Sequence, residues 1–282
     1  MPKTERKWIQ GPVADLATLQ FLPENADALE LARVIVHNVG QGNGNALCST
    51  ADAKPILYFD VGCSAWFNAK TCPETLEYDF ANEPWIILSH WDFDHWHAGF
   101  NQKWATAQKC DWLAPRQKIS AQHQTQASRL KNKLRLWPDR KSPGFQERIV
   151  GEIGEAAVTI VRSVGDAEED RNDSGLAMII EKGVNRILLP GDGRYDYIPG
   201  LDGGTWLGLV ATHHGSKTNL LAPISGAPID AVPNGLDGGV IIYSAAPTKY
   251  GHPNPDAMNA YKEKNWTEEK FTTAGEQQLD LP

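Results

Sequence analysis

The chain has 282 residues, 35 acidic against 27 basic side chains, a formal charge of −8 and 41% hydrophobic residues. That length and apolar content suit one α/β domain with a large core, and the acid excess excludes a surface coated with cations for nonspecific nucleic-acid binding. No apolar run approaches the roughly 18 residues of a membrane helix. Met1-Pro2-Lys3-Thr4-Glu5-Arg6-Lys7 is not followed by an apolar signal core, so a soluble, cytoplasmic protein is expected.

Taken in chain order, apolar and β-branched runs predict strands at residues 33–37, 56–60, 85–88, 157–162, 176–181, 186–189, 207–211 and 239–244. Helical spacing is clearest at 122–136 and at 256–264, where Pro255 marks a helix start. The Gly- and Asn-rich stretch after the first strand, Asn38-Val39-Gly40-Gln41-Gly42-Asn43, reads as a tight turn that brings backbone close to the site; no Gly-Lys-Ser/Thr follows, so it is not a phosphate loop. Cys48, Cys63, Cys72 and Cys110 lack CxxC spacing and read as buried or incidental thiols of a reducing compartment. The sequence shows no internal repeat or long low-complexity tract.

The densest chemistry follows the run Trp85-Ile86-Ile87-Leu88 and Ser89. His90-Trp91-Asp92-Phe93-Asp94-His95 puts two imidazoles and two carboxylates on a loop at a strand's carboxyl end, where α/β folds build their sites. Without a cation such a cluster would repel or stay unpaired, so a metal pair is expected there. Two later strand ends add ligands. Pro190-Gly191-Asp192-Gly193 exposes Asp192, and Thr212-His213-His214-Gly215-Ser216 delivers adjacent imidazoles.

Those segments, together with Phe59-Asp60-Val61-Gly62, Asn172-Asp173-Ser174 and Tyr250-Gly251-His252-Pro253, resemble the metallo-β-lactamase-fold hydrolases. Within that group the chain is most similar to the soluble hydrolase domain at the carboxyl end of the bacterial competence DNA-channel proteins. The pieces occur in the family's order over nearly the whole chain. The resemblance implies a single αββα sandwich spanning residues 1–282, two mixed sheets with helices outside and the site along one edge, holding two divalent ions. His90 and Asp92 would hold the first ion, Asp94, His95 and His214 the second, and Asp192 would bridge them. Asp173 is expected near a position where many zinc members carry histidine. Which of His213 and His214 binds metal stays open, but His213 is then free to donate to a developing oxyanion or a leaving oxygen, and His252 to bind a phosphate oxygen. Ser174 and Ser216 are candidate hydroxyl donors.

A metal-bridging hydroxide flanked by Asp94 and Asp192 would attack a phosphoryl or acyl group. The leading expectation is a phosphodiesterase, foremost a nuclease on single-stranded DNA. The alternatives are a small-molecule phosphodiesterase or other metallohydrolase, and a non-enzymatic metal-stabilised partner module. Because Asp92 and Asp173 put oxygen where zinc members put nitrogen, manganese is expected to outperform zinc. The segment 116–148 holds Arg116, Lys118, Arg129, Lys131, Lys133, Arg135, Arg140, Lys141 and Arg148 against Asp139 and Glu147. It is read either as a basic helical insertion steering a polyanion or as a solvated helix face. Trp96 and His97 depart from the family's small residues after the metal motif, which is expected to reshape the substrate pocket.

Overall fold

The computed structural model describes residues 6–49, 54–166, 170–220, 231–248 and 250–282. The first five residues of the amino-terminal stretch read above lie outside the described residues. Among the described residues, two seven-stranded sheets and a two-stranded ribbon make up the β structure. The first sheet runs in the order Gln277–Asp280, Leu31–Val36, Gly44–Ser49, Pro55–Val61, Trp85–Ile87, Trp112–Pro115 and Leu134–Trp137. The second runs Arg148–Ile153, Ala156–Arg162, Leu176–Lys182, Asn185–Leu189, Thr205–Val210, Asn234–Tyr243 and Glu268–Phe271.

Each sheet begins as an antiparallel meander and switches to parallel pairing, after Pro55–Val61 in the first and after Asn185–Leu189 in the second. Parallel neighbours need long crossovers, so it is after the switch that extended loops and helices enter the chain.

Side-chain alternation divides the core into layers. Val34, Val36, Leu57, Phe59 and Ile87 from the first sheet meet Val158, Ile160, Met178, Ile180, Leu189 and Ile242 from the second between the sheets. The other face of the first sheet, with Cys48, Tyr58, Ile86 and Trp112, is covered by Trp96, Trp104, Ala127 and Leu130 from helical segments. Ala177, Ile179, Leu209 and Tyr243 on the far side of the second sheet pack under Ala257, Ala260, Tyr261 and Trp266. This is the α/β sandwich of two mixed sheets expected above. Each fully buried aliphatic side chain contributes about 1.5–3 kcal/mol relative to exposure, and the shared middle layer holds the two sheets in register at the site edge. No helix among the described residues is long and apolar enough to cross a membrane.

Every predicted strand is present, and the carboxyl-terminal helix spans Pro255–Glu263 with Pro255 in its first turn and the Asn254 carboxamide accepting from Asp256 N–H at 2.9 Å. Residues 122–136 are a correction. The α-helix there is only Ala121–Ala127; a 3₁₀ segment Ser128–Lys133 follows, broken at Lys131 (φ 50°), and Leu134–Trp137 is the edge strand of the first sheet. Leu134 and Leu136 pair with Trp112 and Ala114, and that pairing overrides the local helical spacing. The basic segment is therefore no continuous helical insertion: it passes through the ribbon strand Lys118–Ile119, the short helical stretch 121–133 and the edge strand Leu134–Trp137.

The cysteine reading also needs correction. Cys63 and Cys72 are joined as a disulfide with Cα atoms 5.8 Å apart, while Cys48 and Cys110 are free and buried. Spacing alone misses the pair because the loop between them closes on itself, with Ser64 Oγ 2.7 Å from Thr71 Oγ1.

Candidate metal centre

The ligand loops leave both sheets where antiparallel pairing gives way to parallel. The Asp60 carboxylate, at the end of Pro55–Val61, accepts from Ser89 N–H (2.7 Å) and Ser89 Oγ–H (2.8 Å), which pins the start of the metal loop. Asp92 then precedes the one-turn helix Phe93–Trp96 without a side-chain cap bond, and that turn carries Asp94 and His95 round toward the second sheet. Asp192 follows the equivalent strand of that sheet, and the histidine pair follows Thr205–Val210 on a turn in which His213, His214 and Gly215 all have positive φ (46°, 57° and 84°). Non-glycine residues in that region cost about 1–3 kcal/mol each, and such strain collects at functional turns.

Each histidine is fixed through Nδ1. His95 Nδ1 donates to Asp60 Oδ2 (2.7 Å), His214 Nδ1 to the Ser244 carbonyl (2.9 Å) and His213 Nδ1 to Asn219 Oδ1 (2.9 Å). His90 Nδ1 lies 3.0 Å from Ser89 Oγ, whose own proton goes to Asp60, so the ring nitrogen is the donor there too. The lone pair of every Nε2 is thereby left to face the site, the tautomer a metal-ligating imidazole requires.

These Nε2 atoms converge on Asp192. From its carboxylate oxygens, His95 Nε2 is 3.1 Å away, His213 and His214 Nε2 3.7 Å and His90 Nε2 3.8 Å. Asp94 Oδ2 is 3.4 Å from His214 Nε2, and Asp92 Oδ2 is 3.6 Å from His90 Nε2. Two ligand triplets emerge, His90/His95/Asp192 and Asp94/His95/His214, each with its atoms within 4.8 Å of one another.

The residues fit divalent cations. His90, His95 and His214 Nε2 and Asp192 Oδ1 are all buried without a hydrogen-bond partner. Each such atom costs about 1–3 kcal/mol unless something satisfies it, and bare imidazole lone pairs beside carboxylates are satisfied together by a metal ion. Burial on its own would raise Asp192, yet His95, His213 and His214 hold it well below the usual carboxylate range. Asp94 is likewise lowered against its burial, by His214 and His95. Burial works to lower His95 and His214, but Asp192 with Asp60 raises the first and Asp192 with Asp94 the second. The pocket thus has the electrostatic field of a cation site.

Other expected residues fall differently. Asp92 is one-third exposed, and its second oxygen is bound by Arg171 Nη2 at 2.5 Å, while Arg171 Nη1 also donates to the Trp91 carbonyl at 3.3 Å. Asp173 is not brought to the cluster; its Oδ1 accepts from Arg194 N–H at 3.0 Å. Asn172 sits with its Nδ2 3.4 Å from His213 Nδ1. Ser174 Oγ donates to the Asp170 carbonyl and Ser216 Oγ lies 2.8 Å from Thr218 Oγ1, so neither hydroxyl is spare. Trp96 is fully buried against Phe93, Trp91 and Phe100.

Above the ligands opens a cavity of about 370 Å³ lined by Gln41, Ala65, Asn68, Asp92, Phe93, Asp94, Asp192, His213, His214, Tyr250 and His252. His252 is brought here as expected from its segment, half-buried, with Nδ1 unpartnered and its pKa pushed down to about 4 by burial and by His214 and His213. None of the nine basic side chains of 116–148, and neither Trp96 nor His97, is among the lining residues. Lys133 is instead paired with Asp111 (3.1 Å) and Arg116 with Asp139 (2.5 Å).

Sequence reasoning gave Asp60, within the resembling segment Phe59-Asp60-Val61-Gly62, no role, and passed over Arg171 and Gln117. Gln117 is fully buried, accepts from Trp91 N–H and donates to the Arg171 and Ser174 carbonyls, lashing the metal loop to the 170–174 loop. A carboxylate closing the apolar run 56–59, inside a segment shared with the resembling family, was the signal for Asp60; Gln117 and Arg171 had none.

No protein-family model matches this chain, and no curated protein matches it. Among solved structures the fold is similar to that of CmlA, a diiron beta-hydroxylase from Streptomyces venezuelae, at 14% identity and a TM-score of 0.45, covering 89% of this chain and 54% of that one. This chain therefore spans about half the length of the hydroxylase. It is also similar to the metallo-beta-lactamase fold protein YhfI from Bacillus subtilis (12% identity, TM-score 0.45, 88% and 99% covered). A third similarity is to Zn(2+)-bound PqqB from Methylobacterium extorquens (9% identity, TM-score 0.42, 88% and 100% covered).

Proposed function

We propose that the chain is a metal-dependent hydrolase that holds two divalent ions and cleaves phosphodiesters, with the end of a DNA single strand as leading substrate. The observation that carries this reading is the convergence of the buried, partnerless Nε2 atoms of His90, His95 and His214 with Asp94 and Asp192 on the floor of an open cavity. His90 and Asp192 would hold one ion and Asp94 and His214 the neighbouring one, with the single free lone pair of His95 Nε2 serving one of the two and Asp92 close to the first. When bound, such a pair supplies an activated water and positive charge for phosphoryl oxygens near neutral pH.

The remaining chemistry belongs to the chain. Asp94 and Asp192, ionised and facing the cavity, orient a water for attack by accepting hydrogen bonds from it, and its proton leaves to solvent. His213, tied through Nδ1 to Asn219, directs Nε2 at the cavity, where it sits beside the position of a leaving alkoxide. His252, neutral above about pH 4, contributes a hydrogen bond without charge to a phosphoryl oxygen. Imidazoles mixed with carboxylates suit zinc, manganese and iron alike, and with Asp173 turned to Arg194 the oxygen excess behind the manganese expectation is halved.

A small phosphodiester is the second reading. The cavity's volume of about 370 Å³, with no lysine or arginine among the described lining residues, favours a compact or terminal group over a continuous duplex. The deciding experiment assays metal-loaded protein, across a metal series, on bis(p-nitrophenyl) phosphate, linear and circular single-stranded DNA, duplex DNA and RNA. Cleavage of the generic diester and of linear but not circular strands is expected. A protein with both ions bound that hydrolyses none of them is not a phosphodiesterase.

A further inference from the structure

Gln41 is 3% exposed, lines the cavity and has its Oε1 buried with no hydrogen-bond partner. Nothing in the reading above uses it. Its backbone is held firmly: Gln41 N–H donates to Ser64 Oγ (2.5 Å) and Thr71 Oγ1 (3.3 Å), and Gly40 (φ 75°) and Gly42 (φ 146°) flank it. A Cβ on Gly42 would lie 2.3 Å from the Asp94 carbonyl oxygen, so this turn is pressed directly onto the metal loop. A group bound by Gln41 would be held at a fixed offset from Asp94.

A buried carboxamide has no proton to lose at working pH, so it is unsuited to acid–base work and suited to recognition. It presents an acceptor and two donors in one plane, the pattern that pairs with the donor–acceptor edge of a nucleobase. Asn68 adds a second amide to the same cavity, while Phe93 and Tyr250 supply ring faces to its lining. The cavity is of mononucleotide size.

We infer that Gln41 is a specificity-determining residue whose carboxamide pairs with the base edge of a nucleoside, so that the cavity takes the terminal nucleotide of a phosphodiester. This rests on the phosphodiesterase reading. The test compares two substrates with the same leaving group, the p-nitrophenyl ester of thymidine monophosphate and bis(p-nitrophenyl) phosphate, in wild type, Gln41→Leu and Gln41→Met, with bound metal measured for each. In both variants the ratio of kcat/KM for the nucleoside ester to that for the plain diester should fall about tenfold, chiefly through KM, at wild-type metal content. An unchanged ratio, equal losses on both substrates, or loss of metal in the variants overturns the inference while leaving phosphodiester hydrolysis intact. Wild type that carries two ions and cleaves neither ester overturns the underlying reading instead.

Discussion

Asp60 sits in the left-handed region (φ 64°), fully buried, with its carboxylate shared among Ser89 N–H, Ser89 Oγ–H and His95 Nδ1–H. It does not line the cavity above the ligands yet sets the tautomer of a histidine common to both ligand triplets. Asp60→Asn should therefore weaken metal binding about 10–100-fold, measured by competition with a chromogenic chelator; unchanged affinity would show that His95 is oriented by something else. Arg171 grips one oxygen of Asp92 and leaves the other toward His90. Arg171→Ala should loosen that carboxylate and weaken one of two resolved binding steps, with Arg171→Lys recovering part of the loss; two unperturbed steps would remove Asp92 from the centre. The pH dependence has a definite sign. In metal-free protein the raised His95 and His214 add stability that is complete below the ordinary histidine value and lost as pH rises through their folded values. The lowered Asp92, Asp94 and Asp192 add stability that is complete above the ordinary carboxylate value and lost as pH falls through theirs. The metal-free site is thus most stabilising between about pH 4 and 6.5, whereas metal must displace the imidazole protons and gains with pH. The rise in Tm on adding metal should be larger at pH 8 than at pH 5.5, with proton release detectable by calorimetry in two buffers; an equal rise at both would contradict the assignment of these histidines as ligands.

The elements repeat a plan that the amino-acid sequence does not display. In each sheet an antiparallel meander ends in a strand with a buried carboxylate at or just after its end, Asp60 or Asp192, and the first parallel strand is followed by histidines, His90 and His95 or His213 and His214. The centre lies between these matching strand ends. The strands that carry it were legible because each is a short apolar run ending abruptly in His or Asp, a contrast that survives in one dimension. Edge strands such as Leu134–Trp137 and Gln277–Asp280 were not, since their residues are mixed and pairing partners far off in sequence decide their conformation. Asp173 looked like a ligand for the same reason that Asp60 did not: proximity along the chain says little about which way a loop carboxylate turns. The basic segment illustrates a further gap, its charges being counted correctly but placed away from the cavity. Replacing Arg129, Lys131, Lys133 and Arg135 together by Gln should change hydrolysis of a small diester by less than about twofold, the range expected of surface charges. A large loss there would mean that this edge reaches the site.

At the scale of the whole molecule, a shared middle layer joins two similarly built sheets, and the metal centre spans the seam at one end. Ligands come from both halves, so ions bridging the seam should stabilise the entire sandwich through mass action. Chelation should lower Tm in a single cooperative transition, where a centre confined to one loop would leave it unmoved. The net charge of −8 makes the exterior repulsive on average to polyanions. The central claim is that this seam holds two divalent ions which make the protein a hydrolase. Elemental mass spectrometry on gel-filtered, metal-loaded protein, run beside Asp192→Asn and followed by bis(p-nitrophenyl) phosphate turnover on the same samples, tests it directly. The account predicts two ions per chain and measurable turnover in wild type, with both lost or sharply reduced in the variant; wild type that retains only trace metal after loading would contradict it.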